Sequence, residues 1–335
     1  MGLSKYVPLW IKCPVAVLIQ QIGQLPLRVI GCNMVRSYIQ NSRCSEAAAK
    51  RALKTTHNAV YQYLAERYGL VAKRVLGQRD VGVCDDHMPI WVFWWQGREN
   101  APYIIRSCLD HICKNAGNHP VRVVDATNFQ SYATIPSHIL EKFQNKKISI
   151  THLSDYLRVN LLSKYGGLWI DGSIFVRKQI PEEVFQQPIW TIRNPGKDPE
   201  NISEWNWTIG VLGGWRGNAM FCAVEELLSC YWKDHDILAD YFVMDYMMKL
   251  VYDSSSDVQE WIHTISPSNE HFYFLQNHAN QWVKPELYQQ RMDGDTWMYK
   301  ISWKGQYLLS TTQGKDTVYA WWRRDYGLPS EAGEC

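Results

Sequence analysis

The sequence is short of the features that most readily give a function away. Its nine cysteines include no C-x-x-C pair and no Cys/His cluster at zinc spacing, which excludes zinc-finger, zinc-ribbon and thioredoxin-type chemistry. Their odd number argues against a complete disulfide framework, so a reduced, cytoplasmic protein is expected. Long apolar runs are missing too. The most apolar early stretch, residues 14–32, is interrupted by Gln20, Gln21, Gln24 and Pro26 and falls short of the ~20 residues that a bilayer span needs. Residues 1–14 lack the charged, apolar and cleavage regions of a secretory signal in that order. There are no repeats, no low-complexity tracts, and no obvious carboxylate pair of the kind that hydrolyses glycosides.

Aromatic residues and unevenly placed charge are what the chain has in excess. Its 335 residues include 16 Trp, 19 Tyr and 9 Phe. Most belong in a core, and the rest suit sugars, whose apolar C–H faces pack on aromatic rings. The length suffices for one large domain or one domain with a smaller appendage, and 20% charged residues is an ordinary globular share. A net charge of +2 hides an asymmetry: residues 1–79 hold twelve Lys or Arg against two acids, and the remainder is acidic. A basic arm of this kind points to an anionic partner. It has no recognisable nucleic-acid-binding fold, so nucleic acid is not an expected partner. An anionic membrane surface is one reading, with Trp10, Leu18 and Ile22 turned into the interface. A helical cap on the body of the protein is the other.

Ser45 reads as the N-cap of one helix reaching about Val75, with Leu53, Val60, Leu64 and Tyr68 as its apolar stripe. Residues 77–89, punctuated by Gly, Asp and Pro, read as a linker. Residues 1–80 are therefore expected to form a basic helical region and 81–335 the body. From Ile90 onward strand and helix alternate: a strand at 90–95, a helix at 102–115, a strand at 121–126, a helix at 137–145 and a short strand at 148–150. This order predicts an α/β fold with a mainly parallel sheet flanked by helices. In such sheets ligands sit beyond the carboxyl ends of the strands, and Trp94, Asp125 and Asp171 all fall near such ends. Strands at 189–194 and 205–214 and helices at 218–232 and 241–252 follow. Asp245, in the middle of the last helix between Met244 and Tyr246, is either solvent-facing or functional.

The densest stretch is SDYLRVNLLSKYGGLWIDGSIFV, Ser154–Val176. Leu157, Leu161, Leu162 and Tyr165 share one helical face, and Gly166-Gly167 can take positive φ and end the helix. Asp155 and Arg158 project from one side of its first turn, as a salt bridge or as a pair that grips sugar hydroxyls. The following strand is interrupted by Asp171-Gly172-Ser173. An ionised carboxylate is costly to bury without a partner, so Asp171 is expected where the strand opens into a cleft. With Ser173 it offers oxygens to a hard cation and, through it, to a diphosphate. The plainer reading is a helix-to-strand turn that Asp171 caps.

In combination these parts resemble glycosyltransferase family 32, especially the branch called capsular polysaccharide synthesis proteins, and are more distantly similar to the catalytic domains of large clostridial glucosylating toxins. The resemblance rests on IWVFWWQG (Ile90–Gly97), ENAP (Glu99–Pro102), SDYLR (Ser154–Arg158) and KYGGLWIDGS (Lys164–Ser173), with weaker similarity in DYFVMDYMM (Asp240–Met248) and HFYFLQNH (His271–His278). One departure is Ser173, which stands where the wider family's Asp-x-Asp motif has its second acid, although Asp-x-Ser/Thr looks usual for the capsular branch; a hydroxyl is the weaker metal ligand. The resemblance implies a GT-A-like catalytic domain over 81–335. It further implies retaining transfer of a hexose from a nucleotide sugar, taken as a UDP-sugar, to a surface polysaccharide or a lipid-linked oligosaccharide, and the basic arm would keep the protein near the inner face of the membrane. Asp171 is then the catalytic anchor of the diphosphate. Mn²⁺ or Mg²⁺ would be held by Asp171, Ser173 and His271. Trp94 would stack on the base with Gln96 near the ribose, and Asp155 and Arg158 would hold sugar and ribose hydroxyls. Tyr165 and Gly167 are counted among the substrate-binding positions. Asn206 and Asp245 are expected near the reacting carbon, and Lys300 or Lys304 as added positive charge on the diphosphate. Two other classes stay open on the residues alone: a nucleotide-sugar hydrolase or hexose-phosphate transferase, and a non-catalytic sugar-binding protein.

Overall fold

A computed structural model describes residues 20–42, 44–195 and 201–326; Trp10 and Leu18 lie outside them. Two helices come first, α1 (Leu27–Asn41) and α2 (Glu46–Leu76). The Ser45 side chain caps α2 by accepting from Ala48 N at 3.3 Å, as its place in the sequence predicts. There follow β1 (Ile90–Phe93), α3 (Tyr103–Asn115), β2 (Val121–Val124), α4 (Phe129–Tyr132), α5 (Ser137–Gln144), α6 (Ile150–Tyr165), β3 (Gly167–Ile170) and β4 (Ile174–Val176). The second half holds β5 (Ile189–Thr191), β6 (Val211–Gly214), α7 (Ala219–Asp234), α8 (Val243–Asp253), α9 (Ser256–Thr264), α10 (Phe274–His278), α11 (Pro285–Asp293), β7 (Met298–Lys300) and α12 (Val318–Asp325).

The central sheet has the order β2-β1-β3-β6-β5. β1 pairs in parallel with both β2 and β3, and β6 runs antiparallel to both of its neighbours. Four of the five strands therefore point one way, and the mainly parallel sheet expected of the alternating elements is present. β4 and β7 form a separate antiparallel pair over a second small core that includes Tyr103, Phe175, Tyr299 and Trp322.

Helix α6 differs from its expected form in two respects. The short strand at 148–150 does not exist, because Ser149 caps a helix that starts at Ile150: its hydroxyl accepts from His152 N at 3.3 Å, satisfying one of the donors that a helix start leaves open. Asp155 and Arg158 consequently sit one to two turns into the helix, not in its first turn. The helix is also buried almost all round from His152 to Leu162, since it packs against β1 and β3 and against α7. A helix enclosed in this way needs no polar face, and each of its buried leucines contributes about 1.5–3 kcal/mol. Likewise, only 211–214 of the stretch 205–214 is strand; 205–210 is a loop that ends beside Asp171.

The N-terminal helices share the core of the body. Val29, Ile30, Val60 and Leu64 belong to the same hydrophobic cluster as Ile90, Val92 and Leu168. Part of the basic charge of this region is spent internally, Arg36 on Asp240 at 2.6 Å and Arg67 on Asp234 at 2.9 Å. The outer face of α1 is apolar: Leu27 is 79% and Tyr38 74% exposed, with Met34 and Val35 between them and Ile22 just before the helix also exposed. Among the described residues no helix is long and apolar enough to cross a membrane.

Candidate active site at the end of strand β3

Asp171 is the first residue beyond β3, and its N–H donates to Gly210 O at 2.9 Å. Its carboxylate accepts from three side chains. Oδ1 takes Trp169 Nε1 at 3.0 Å and Arg158 Nη2 at 3.3 Å, and Oδ2 takes Lys300 Nζ at 3.0 Å. Lys300 arrives from the far end of the chain because β7 pairs with β4, opposite Ile174. Burial works to raise the Asp171 carboxyl; the charges of Lys300 and Arg158 and the indole hydrogen bond outweigh it and hold the group below its ordinary value. Asp171 is therefore ionised at neutral pH.

Arg158 ties this carboxylate to the second acid of the helix. Its Nη1 donates to Asp155 Oδ1 at 2.8 Å and lies 2.9 Å from Met244 Sδ, and its guanidinium covers the Trp169 ring at 4.9 Å. Asp155 and Arg158 are both buried. The expected pair is thus formed, and it extends to Asp171 as a third member. The Arg158 Nε is buried without a partner.

Trp94 follows β1 and is brought to the same turn. The position of a Cβ on Gly172 is 3.4 Å from its Cε3 atom, which puts the indole in van der Waals reach of the Asp171–Ser173 turn. Trp94 meets Trp303 edge to face at 5.2 Å, and Lys304 stands over Trp303 at 5.1 Å. The Trp94 Nε1 is buried and unpartnered. Ser173 is half-buried, and its carbonyl accepts from Ile301 N at 3.0 Å.

Asp245 lies in the first turn of α8 rather than its middle, and it faces inward: its side chain accepts from Trp207 Nε1 at 3.1 Å. Burial pushes its carboxyl up to about 7, helped by the negative charges of Asp155 and Asp240 and opposed by Trp207 and Arg158. Two tyrosines lie in the field of these carboxylates, and the sequence reading passed over both. Burial raises the Tyr241 phenol, and the charges of Asp155 and Asp171 add to it. Tyr273 is pushed to about 12 by burial together with Asp171 and Asp245. Both fall inside the two weaker stretches of family similarity, which was the available signal.

Other expected residues are placed elsewhere. Tyr165 and Gly167 stand at the start of β3, the opposite end from Asp171. Tyr165 donates to Tyr132 O at 3.1 Å and packs on Trp91. Gln96 is exposed, its carbonyl accepting from Asn100 Nδ2 at 3.1 Å. Asn206 accepts from Arg193 Nε at 3.4 Å; it is the next residue, Trp207, that reaches Asp245. His271 faces Arg291, with Nη1 2.6 Å from its Nε2. A cavity of about 610 Å³, lined among others by Arg74, Arg79, Asn160, Lys164 and Glu225, contains none of the Asp171 cluster.

The donor set does not fit a divalent cation. Among the described residues no group of three or more His, Cys, Asp or Glu could hold a metal ion. Both Asp171 oxygens already accept from donors, two of them cationic. A magnesium ion about 2.1 Å from Oδ2 would adjoin an ammonium only 3.0 Å from the same oxygen. Like charges ~4 Å apart repel by roughly 4 kcal/mol per unit-charge pair at an effective dielectric of about 20. Ser173 offers only a neutral oxygen, and His271 is turned to Arg291.

Comparison with known proteins gives the family of the chain. The chain is 31% identical over 103 residues to a protein named O-glycosyltransferase PaGT from Phomopsis amygdali; the match covers 28% of this chain and 25% of that protein. No solved structure matches the chain. The family described as capsular polysaccharide synthesis protein matches residues 40–320, a span that contains every residue of the Asp171 cluster, and the chain belongs to that family.

Proposed function

We propose that the protein is a retaining glycosyltransferase that moves a hexose from a nucleotide sugar, a UDP-sugar by preference, to a surface polysaccharide or lipid-linked oligosaccharide. The observation that carries this reading is the convergence of Asp171, the Asp155–Arg158 pair and Lys300 from three separated stretches of chain at the carboxyl end of β3, where open α/β sheets bind ligands. Departure of a diphosphate needs positive charge already in place. Lys300 and Arg158 supply it, Asp171 holds the two cations apart, and Asp155 fixes the rotamer of Arg158. Trp94 offers a ring face for the base. Asp245, protonated below about pH 7, donates to a sugar hydroxyl, and the rings of Tyr241, Tyr273 and Trp303 keep water from the reacting carbon.

Thermal stabilisation by a panel of nucleotide sugars, followed by product analysis with candidate acceptors, tests the reading. One donor should stabilise the protein and yield glycosylated acceptor, and Asp171→Asn should abolish turnover while near-ultraviolet circular dichroism stays native. Free sugar released without acceptor dependence would replace the transferase with a hydrolase. Tight nucleotide binding without turnover in any acceptor screen would leave a sugar-binding protein.

The apolar stripe Leu27, Met34, Val35 and Tyr38 on α1 belongs to a segment with twelve basic and two acidic residues. That combination suits an anionic lipid surface, and the proposed lipid-linked acceptor is found there. Co-sedimentation with phosphatidylserine-rich vesicles, weakened by salt and by Tyr38→Glu, is expected. Equal indifference to anionic and neutral vesicles, with self-association at high concentration, would assign the stripe to a second copy of the chain.

A further inference from the structure

We infer that this site binds a diphosphate without any divalent cation, with Lys300 as the positive charge built into the fold. The inference rests on the nucleotide-sugar reading and adds to it how the leaving group is held. Strand β7 is clamped on both sides of the lysine: Lys300 N donates to Phe272 O at 2.7 Å, and Ile301 N donates to Ser173 O at 3.0 Å. The ammonium is thereby carried on a fixed piece of backbone to the turn that carries Asp171. It gives one of its three N–H donors to Asp171 Oδ2. Its side chain is 23% exposed and that of Asp171 27%, so the pair is open to a ligand on one side and desolvated on the others.

Arg158 occupies the other oxygen of the same carboxylate. Asp171 thus spaces a compact ammonium and a planar guanidinium on its two sides; the guanidinium is buried, its side chain 5% exposed, and adds its charge from behind, while the ammonium is the cation that a phosphoryl group can touch. The hydroxyl of Ser173 becomes intelligible in the same terms. A second acid at that position serves a site that recruits a metal; in a site that relies on Lys300 it would only repel the phosphates. The motif position and the distant lysine are therefore two halves of one arrangement, and the lack of fit to a divalent cation described above is its consequence.

Calorimetric binding of UDP, GDP, ADP and CDP to the full chain, in EDTA and in Mn²⁺, decides the matter. At least one nucleoside diphosphate should bind in EDTA, with a dissociation constant within about threefold of that in Mn²⁺. Lys300→Met should weaken that binding about tenfold to a hundredfold, and Lys300→Arg should restore part of the loss. Circular dichroism establishes that both variants fold; if Lys300→Met does not, the comparison of EDTA and Mn²⁺ on the native chain decides alone. Binding that requires Mn²⁺ overturns this inference and leaves the nucleotide-sugar reading standing. Undiminished binding by a folded Lys300→Met overturns the role of the lysine. No binding of any nucleoside diphosphate under either condition overturns both readings together.

Discussion

At the start of β3, Gly167 lies against the backbone of Pro89; at its end, four residues on, Asp171 faces two cations. The first contact is backbone packing, with Leu168 N donating to Pro89 O at 2.9 Å. Gly167 has φ +99°, and a Cβ there would come 2.0 Å from Pro89 O. Gly166, at φ +65°, would meet Arg216 N at 2.7 Å, and Gly214, opposite Gly167 in the register, would meet Pro188 O at 2.4 Å. Neighbouring backbones approach one another there through glycines alone. The other end also contains a glycine, but to a different purpose. A Cβ on Gly210 would lie 2.9 Å from Asp171 Oδ2, so the missing side chain makes room for a carboxylate. One short motif, YGGLWIDGS, thus joins a packing device to a chemical one, and Tyr165 and Gly167 belong to the packing half.

The same substitution at the two ends should separate them. Gly167→Ala forces backbone against backbone at a φ that L-residues rarely adopt, and a loss of more than about 4 kcal/mol is expected. It should appear as little soluble protein and no cooperative thermal transition. Gly210→Ala meets the end of a side chain, Asp171 Oδ2, and no backbone. The carboxylate should turn aside, loosening its contact with Lys300, and turnover should fall about a hundredfold, the scale of a ~1 Å misplacement, while the melting temperature stays within a few degrees. Equal collapse of both variants would show that the two ends form one structural unit and would remove the distinction.

The packing end was the more legible of the two. Gly-Gly after a periodic apolar helix announces a helix stop with its own physics, and the cap at Ser45 and the alternation of strands and helices were equally local signals. The cap at Ser149 was obscured because Ile148-Ser149-Ile150 alternates like a strand, and three residues carry too little periodicity to decide between helix and strand. At the chemical end, Asp155, Arg158, Trp94 and Asp171 could be named because they sit inside contiguous motifs. Lys300 could only be offered alongside Lys304, since its contact spans 129 residues and depends on how β7 registers with β4. His271 shows the converse. A lone histidine beside a motif invites a metal, and nothing local reveals that Arg291 lies across from it. Long-range strand pairing and side-chain direction are settled by tertiary packing, which a single sequence does not display.

The smallest expected effect sharpens the comparison on the chemical side. Asp245 accepts from Trp207 and lies in the field of Asp155 and Arg158, and its carboxyl is raised from 3.8 to about 7. In the unfolded chain this group loses its proton near pH 4, whereas the folded protein keeps it until about pH 7. The folded state therefore binds the extra proton in that interval, and the stability contributed by Asp245 is present below pH 4 and lost as pH rises through 7. Asp245→Asn retains a hydrogen-bonding side chain without the charge. It should be more stable than the native protein at pH 8, by on the order of 1–2 kcal/mol once local relaxation is allowed for, and no more stable at pH 4. Urea titrations of both proteins across that range measure the difference. A gap that stays constant with pH would mean that Asp245 is ionised throughout, and the donor role proposed for it would fall, while Asp171, held by Lys300 and Arg158 from both sides, would keep its own.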